Sequence, residues 1–347
     1  MNAGVSVPNI LMTTISDVAR RAKVTTATVS NVITQRVPVS AKTRARVLEA
    51  IEELGYRPNL VARGLAQGKT STLALVVPTI SNPFFAEVVE EVERAADRHD
   101  YQLLLSMTHQ SPEEGRRHLE RMASRWVDGF IVMDMAADIT DVLALADAGK
   151  AVVLCVWNQD PRAQRLPLVD IDFRLAGELA TRHLLECGHR RIAMIVEEPV
   201  QWTRRQGFET ALAQAGLAAP QEYIRQGDSS FESGYQAGLA FLALPQPPTA
   251  IFAGNDWMAL GAIEAITHKG LAVPHDIAVV GVDDISQAAH AHPPLTTISI
   301  PKLELARTAT ELLLRRIQGK RMGASEEPIK ILTNPHLIVR QSTARIS

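Results

Sequence analysis

Cysteine is nearly absent: Cys155 and Cys187 are the only two in 347 residues. Two cysteines cannot build a disulfide scaffold, and this pair lacks the spacing of metal ligands. Long apolar runs are missing as well. The longest, such as Ala151–Trp157, fall far short of the roughly 20 residues that span a bilayer. The first 12 residues carry no charge and so lack the basic start of a secretory signal. These absences predict a soluble, cytoplasmic protein. Net charge is almost absent too, −2 from 36 basic and 38 acidic side chains. As a sum it favours neither nucleic acid nor a membrane. What is present is ordinary: 46% hydrophobic and 21% charged residues exclude a disordered or collagen-like chain and suit two or three domains. Met12 directly precedes the first patterned residue, so 1–12 is expected to be a disordered tail.

The charge is unevenly divided. Residues 13–69 hold ten Lys and Arg against Asp17, Glu49, Glu52 and Glu53, a net of +6, which leaves −8 on the rest. A compact basic head on an acidic body is the electrostatic footprint of a nucleic-acid binder. In that head Thr14 and Asp17 have capping-box spacing. Ile15, Val18, Ala19 and Ala22 then repeat at helical spacing. Lys23-Val24-Thr25 reads as a tight turn, and Thr25 as the cap of a second helix, Thr26 to about Ile33. Its apolar face is Val29, Val32 and Ile33, which points Thr26, Ala27, Thr28, Ser30 and Asn31 elsewhere. Ser40 caps a third helix, Ala41–Leu54, with Val47, Leu48, Ile51 and Leu54 expected inward and Gly55 as a left-handed cap. Two short helices, a three-residue turn and a supporting third helix form a helix-turn-helix. Its second helix enters the major groove, where Asn pairs with adenine and Thr or Ala touches a thymine methyl.

The segment from Thr14-Ile-Ser-Asp-Val-Ala through Thr28-Val-Ser-Asn and Val39-Ser-Ala-Lys-Thr-Arg to Leu54-Gly-Tyr-Arg-Pro-Asn59 closely resembles the lactose-repressor/galactose-repressor family of bacterial transcription regulators. The resemblance places Thr26, Ala27 and Asn31 at the main base-reading positions, with Thr28 and Arg36 beside them. Lys23 stands where relatives usually have Gly or Asn, which predicts slight strain in the turn. Residues 58–70 follow as hinge and linker. Pro58 suits a first helical turn, and barely two turns follow, which is marginal alone in water. The resemblance implies that paired hinge helices of a dimer enter the minor groove, with Asn59 and Arg63 at the DNA and Leu65 wedged between base steps. Such a wedge costs roughly a few kcal/mol of unstacking, offset by added contacts. Gly64 to Thr70 superficially suggests a phosphate loop, but it has three residues between its glycines where the motif needs four, and no strand precedes it.

From Thr72 apolar runs of strand length alternate with helical stretches. Strands are expected at Leu73–Val77, Gln102–Ser106, Gly129–Met133, Val152–Val156, Leu168–Ile171, Ile192–Val196, Ala250–Phe252 and Ile277–Val282. Helices are expected at Pro83–Arg98, Pro112–Arg125, Leu175–Cys187, Thr203–Ala215, Phe231–Leu244, Asp256–Lys269 and Lys302–Gln318. Regular β-α alternation implies parallel sheets covered by helices. The number of units predicts two doubly wound lobes, with a ligand at the carboxyl ends of the strands in the cleft between them. The fold class is therefore an all-α helix-turn-helix head plus an α/β body. The resemblance continues through Ser81-Asn-Pro-Phe-Phe85, Arg204-Arg-Gln-Gly-Phe208, Asn255-Asp-Trp-Met-Ala-Leu-Gly261, Gly281-Val-Asp-Asp284 and Pro294-Leu-Thr-Thr-Ile298. It implies lobes of periplasmic-binding-protein type with three crossovers, near Asp170–Asp172, Ser299–Lys302 and Glu327–Ile329. The expected domains are a head at 13–57, a hinge at 58–70 and a body at 71–347. Lobe one is about 71–170 and 302–327, lobe two about 171–300 and 328–343.

By the same resemblance Arg204 grips the effector and Asp283 accepts its hydroxyls. Asn255 adds an amide after a strand, and Phe84 and Phe85 face an apolar sugar surface. An arginine fork, a carboxylate and an amide suit a hydroxylated or carboxylated small molecule, a sugar or sugar acid. Two departures stand out. Trp157 occupies a place where many relatives carry an acid, and Ser229 follows Gly227-Asp228 where some relatives stack an aromatic ring. Trp157 is expected to supply stacking from another wall. These changes, with a short 197–203 loop, point to an effector unlike those of the best-known sugar and purine repressors. The resulting expectation is a repressor of double-stranded DNA with a pseudo-palindromic operator, a homodimer without a tetramerising heptad tail, and no cofactor or metal. The alternatives are an α/β enzyme acting on a small molecule and a solute-binding protein. No Gly-x-Ser-x-Gly elbow, His-Glu-x-x-His or dinucleotide fingerprint supports the first. The basic head opposes the second.

Overall fold

A computed structural model describes residues 13–34, 37–57, 69–124, 127–134, 137–156, 160–321 and 329–344. The chain divides into two compact units, 1–70 and 71–347. The expected tail at 1–12 and most of the expected hinge lie outside the described residues, as do Arg36, Asn59, Arg63, Leu65 and Trp157.

In the first unit, α1 (Ile15–Ala22) starts at a capping box. The Asp17 N–H donates to Thr14 Oγ1 at 3.3 Å, and the Thr14 N–H returns a bond to the Asp17 carboxylate at 3.0 Å. Lys23 ends the helix in the left-handed region, φ +53°. That conformation costs a Cβ-bearing residue roughly 1 kcal/mol or more, which is why Gly or Asn fits the position. Helix α2 (Thr26–Thr34) starts where Thr25 Oγ1 accepts from the Thr28 N–H at 3.2 Å. Helix α3 (Ala41–Glu53) is capped by Ser40. Val18, Ala19, Ala22, Val29, Val32, Val47 and Ala50 form the shared core. Leu48 does not join it, contrary to expectation: it is 50% exposed. At 100° per residue the inward stripe of α3 runs through Val47, Ala50, Ile51 and Leu54, and Leu48 falls off its flank.

The body contains two six-stranded sheets. In chain order its elements are β1 (Thr72–Val77), α4 (Pro83–Asp97), β2 (Gln102–Met107), α5 (Pro112–Ala123), β3 (Gly129–Val132), α6 (Ile139–Asp147), β4 (Ala151–Cys155), β5 (Leu168–Ile171), α7 (Phe173–Glu186), β6 (Ile192–Val196), α8 (Trp202–Gln214), β7 (Ile224–Gln226), α9 (Phe231–Leu242), β8 (Ala250–Ala253), α10 (Asp256–His268), β9 (Ala278–Asp283), α11 (Ser286–His290), β10 (Thr296–Ser299), α12 (Lys302–Arg321), β11 (Lys330–Thr333) and β12 (His336–Ile338). The first sheet has the order β11-β5-β4-β3-β1-β2 and the second β12-β10-β9-β8-β6-β7. Every pairing is parallel except β10 with β12. Central strands β1, β3, β4, β6, β8 and β9 are almost wholly buried, as helices on both faces require.

Two crossovers fall as expected, between β5 and α7 and between β10 and α12. The third does not. Lys330–Thr333 pairs with β5 in the first sheet, so the chain crosses between β11 and β12, and residues 330–333 belong to lobe one rather than lobe two. The expected strand Val152–Val156 also stops early. Val156 has φ +54°, and left-handed backbone cannot continue a ladder. The closing segment is stitched into lobe two. The Val279 N–H donates to the Ser342 carbonyl at 2.8 Å, and Ser342 Oγ donates to the Val279 carbonyl at 2.6 Å.

Candidate functional site

On the head, Thr26 and Ala27 are exposed at the start of α2, while Thr28 and Asn31 are half-buried. The Thr28 hydroxyl lies 3.0 Å from Thr25 Oγ1, so it is engaged in the cap as well as facing the same side. Two basic residues are tied to the fold: Arg20 pairs with Asp17 and Arg21 with Glu53. Lys23, Lys42, Arg46 and Arg57 are exposed. The arrangement presents small hydroxyl, methyl and amide groups on a basic surface.

In the body, a cavity of about 540 Å³ lies between the lobes at the carboxyl ends of both sheets. Lobe one contributes Pro78 and Thr79 after β1, Gln110 after β2, Asp134 after β3 and Val156 after β4. Lobe two contributes Glu197 after β6, Asp228 and Ser229 after β7, Asn255 after β8 and Asp283 at the end of β9. Five predicted effector residues, Phe84, Phe85, Arg204, Asn255 and Asp283, line it together. Phe84 packs in the core, edge-on to Phe85 at 5.2 Å, and Asn82 caps their helix through the Phe84 N–H. Asn255 is partly committed, since its Oδ1 accepts from the Met258 N–H at 2.7 Å and caps α10.

Arg204 sits in the first turn of α8, 9% exposed, its guanidinium 4.0 Å over the Phe173 ring. Gly177 on α7 makes that placement possible: a Cβ there would stand 2.1 Å from the Arg204 carbonyl oxygen. One guanidinium nitrogen is 3.8 Å from Asp283 Oδ1. That is an ion pair without a hydrogen bond. Arg204 Nε and Asp283 Oδ1 are both buried with no hydrogen-bond partner. Such atoms are costly to leave unmade. Burial pushes the Asp283 carboxyl up to about 6, against the pull of Arg204 and Lys302. Burial and the nearby Asp283 charge also hold Asp256 well above the usual carboxylate range, though it accepts bonds from Thr297 Oγ1 and the Ile285 N–H.

Several residues escaped the sequence reading. Asp283 and Asp284 have φ +117° and +53°, and the buried Lys302 ammonium takes both their carbonyls at 2.6 Å. Lys302 begins a lobe-one helix and also pairs with Glu87 of α4 at 3.2 Å. Glu197 accepts from Gln110 Nε2 at 3.2 Å across the cleft and from the Ser229 hydroxyl. Gln201 Oε1 takes the Glu197 N–H and its Nε2 donates to Ser229 Oγ, both at 3.1 Å. The signal that could have found Asp134 and Glu197 was positional: each lies within two residues of a buried strand's carboxyl end.

A helix-turn-helix unit with a basic surface, joined in one chain to a two-lobed body with an interlobe cavity, is the architecture of a DNA-binding regulator. Residues 14–59 match bacterial regulatory proteins of the lacI family, and residues 181–343 match the periplasmic binding protein-like domain. The HTH-type transcriptional repressor PurR of Haemophilus influenzae is 40% identical over 96% of this chain and 100% of its own. The lac repressor dimer bound to operator and the anti-inducer ONPF superposes with a TM-score of 0.85 at 29% identity, over 96% of this chain and 99% of that one. The transcriptional regulator CelR in complex with cellobiose gives 0.72 at 34% identity, over 95% and 99%. The chain belongs to the lacI family: it is a DNA-binding transcriptional repressor and not an enzyme. No helix among the described residues is long and apolar enough to cross a membrane.

Proposed function

We propose that the protein acts in the cytoplasm as a homodimer on a pseudo-palindromic operator, and that a hydroxylated or carboxylated small molecule between the lobes sets its operator affinity. Its proposed domains are a head at 13–57, a hinge at 58–70 and a body at 71–347, with 330–333 returned to lobe one. Thr26, Ala27, Thr28 and Asn31 read bases, with Arg36, Asn59, Arg63 and Leu65 as further DNA contacts. Phe84, Phe85, Trp157, Arg204, Asn255 and Asp283 form the effector site. The carrying observation is that Arg204 and Asp283, whose buried Nε and Oδ1 atoms have no hydrogen-bond partner, both line one interlobe cavity. The regulator with cellobiose and the repressor with an anti-inducer, both similar in fold, support a small-molecule reading of that cavity.

The test selects operator DNA from a random pool with the full chain, then footprints it. The expected result is two protected half-sites related by a two-fold axis, with affinity falling steeply as salt rises through counterion release. Arg204→Ala should keep that footprint and lose the response to effector. A footprint without two-fold symmetry, or an affinity indifferent to salt, contradicts the reading.

A further inference from the structure

Beside the crossover from β10 to α12, one turn of lobe two is gripped from lobe one. Lys302, the first residue of α12, has a side chain only 8% exposed. Its ammonium has three N–H groups and three acceptors: the Asp283 and Asp284 carbonyls, each at 2.6 Å, and the Glu87 carboxylate at 3.2 Å. The other oxygen of that carboxylate accepts the Ser286 N–H at 3.0 Å. Two lobe-one side chains, from α4 and α12, thus hold the lobe-two turn 283–286. Each side of the contact is braced within its own lobe. In lobe two the Ile285 N–H donates to Asp256 at 3.0 Å, and Arg340 pairs with Asp284 at 2.6 Å. In lobe one Arg307 of α12 pairs with the buried Glu91 of α4 at 2.5 Å. The contact therefore joins two braced bodies rather than two loose side chains. Asp283 lines the interlobe cavity, whereas Lys302 and Glu87 line a separate open hollow of about 800 Å³.

We propose that Lys302 and Glu87 form an interlobe clasp on the 283–286 turn, which favours this lobe arrangement in the effector-free protein and thereby sets its basal operator affinity. Parting the lobes at this turn strips a buried ammonium of two acceptors, and a buried charged donor is costly to leave unpaired. The arrangement that keeps those bonds is favoured accordingly when no ligand is bound. The clasp acts on the same turn that carries Asp283 at the cavity wall. A ligand that displaces Asp283 works against the clasp, and one that holds Asp283 in place works with it. The inference rests on the reading that the lobes control the head, and it adds the residues that set the resting balance. Neither Lys302 nor Glu87 is among the described residues lining the cavity, so substituting them leaves that lining unchanged.

The test uses the effector-free full chain and the operator DNA selected above. Operator affinity is measured by titration, and amide exchange of the 283–290 peptide by mass spectrometry. Lys302→Met should change operator affinity at least tenfold and speed exchange of that peptide at least fivefold. Glu87→Ala should shift affinity in the same direction at least threefold. The double variant should fall short of the product of the two changes by at least threefold, because both act on one contact. Arg307→Met alters the α4–α12 pair inside lobe one alone and should leave affinity within twofold. An unchanged circular dichroism spectrum shows that each variant folds, and Glu87→Ala carries the test if Lys302→Met does not fold. Affinity and exchange that stay within twofold of the wild type in both Lys302→Met and Glu87→Ala overturn the clasp. An Arg307→Met effect as large as that of Lys302→Met overturns it too, by assigning the effect to packing within lobe one. Faster exchange with unchanged operator affinity shows a tie without influence on the head, which overturns the inference together with lobe control of the operator.

Discussion

Glu197 carries a charge in a place that disfavours it. Burial raises its carboxyl above the ordinary 4.5, and the neighbouring Asp228 and Asp134 add to the shift against the pull of Ser229 and Arg204. A carboxyl with a raised folded pKa contributes stability that is fully present below the unfolded value and is lost as pH rises through the folded one. Glutamine does not titrate. The ligand-free Glu197→Gln protein should therefore melt close to the wild type near pH 4.5 and above it at pH 7.5, the gap opening as pH rises. Melting curves across that range check this, and a gap that is constant or closes toward neutral pH contradicts it. Glu197 lines the interlobe cavity, so this cost falls at the proposed effector site. Asp283 and Asp284 show the same tendency in their backbone. Two successive non-glycine residues at positive φ persist because Lys302 holds both carbonyls and Arg340 pairs with Asp284 at 2.6 Å. Arg204 and Asp283 were legible in the sequence as members of motifs. Lys302 was not, because its role depends on a lobe-one helix starting beside the end of a lobe-two strand, a proximity separated by 19 residues of chain.

Helix pairs in lobe two are set by glycine. Gly177 on α7 and Gly207 on α8 face the opposite backbone so closely that a Cβ would come within 2.1 Å of the Arg204 carbonyl and 2.0 Å of the Arg174 carbonyl. Gly234 and Gly261 do the same between α9 and α10, against Met258 and Phe231. The α7–α8 contact fixes the height of Arg204 over the cavity. Gly177→Ala should thus cost about 1–3 kcal/mol of stability by overpacking and shift α8 outward. The expected outcome is a weakened effector response with operator binding retained. Chemical denaturation and an operator titration measure the two effects, and a Gly177→Ala protein with full stability and response would show that the contact has no such role. Long apolar strands such as β1 and β6, and capped amphipathic helices such as α4 and α10, were legible from period and length. Strands β7, β10, β11 and β12 were not. They are three or four residues long, β7, β11 and β12 are edge strands with β10 next to an edge, and sequences such as Thr296-Thr-Ile-Ser299 owe their burial to neighbours rather than to their own apolarity. Helix α6 was overlooked despite an Asp138 cap that bonds the Thr140 N–H at 2.8 Å.

Across the whole molecule the nearly neutral sum conceals two opposed surfaces. The basic head suits a phosphate backbone, and the acidic body carries part of its surplus on the walls of the interlobe cavity. Three crossovers join the lobes. Among the described residues, further ties span them: Gln110 to Glu197, Lys302 of lobe one to the Asp283 and Asp284 carbonyls of lobe two, and the Ser286 N–H of lobe two to Glu87 of lobe one. A ligand that prefers one arrangement of the lobes changes the weight of these ties. The central claim, that one chain couples occupancy of this cavity to operator binding, is a statement of linkage, and linkage is reciprocal. The most direct measurement is the affinity of the full-length protein for its effector with and without saturating operator DNA, beside the affinity for operator with and without saturating effector. The account predicts the same factor in both directions, different from one, and a factor of one in the Arg204→Ala protein at effector concentrations that saturate the wild type. Independent binding of effector and operator in the wild type would contradict it.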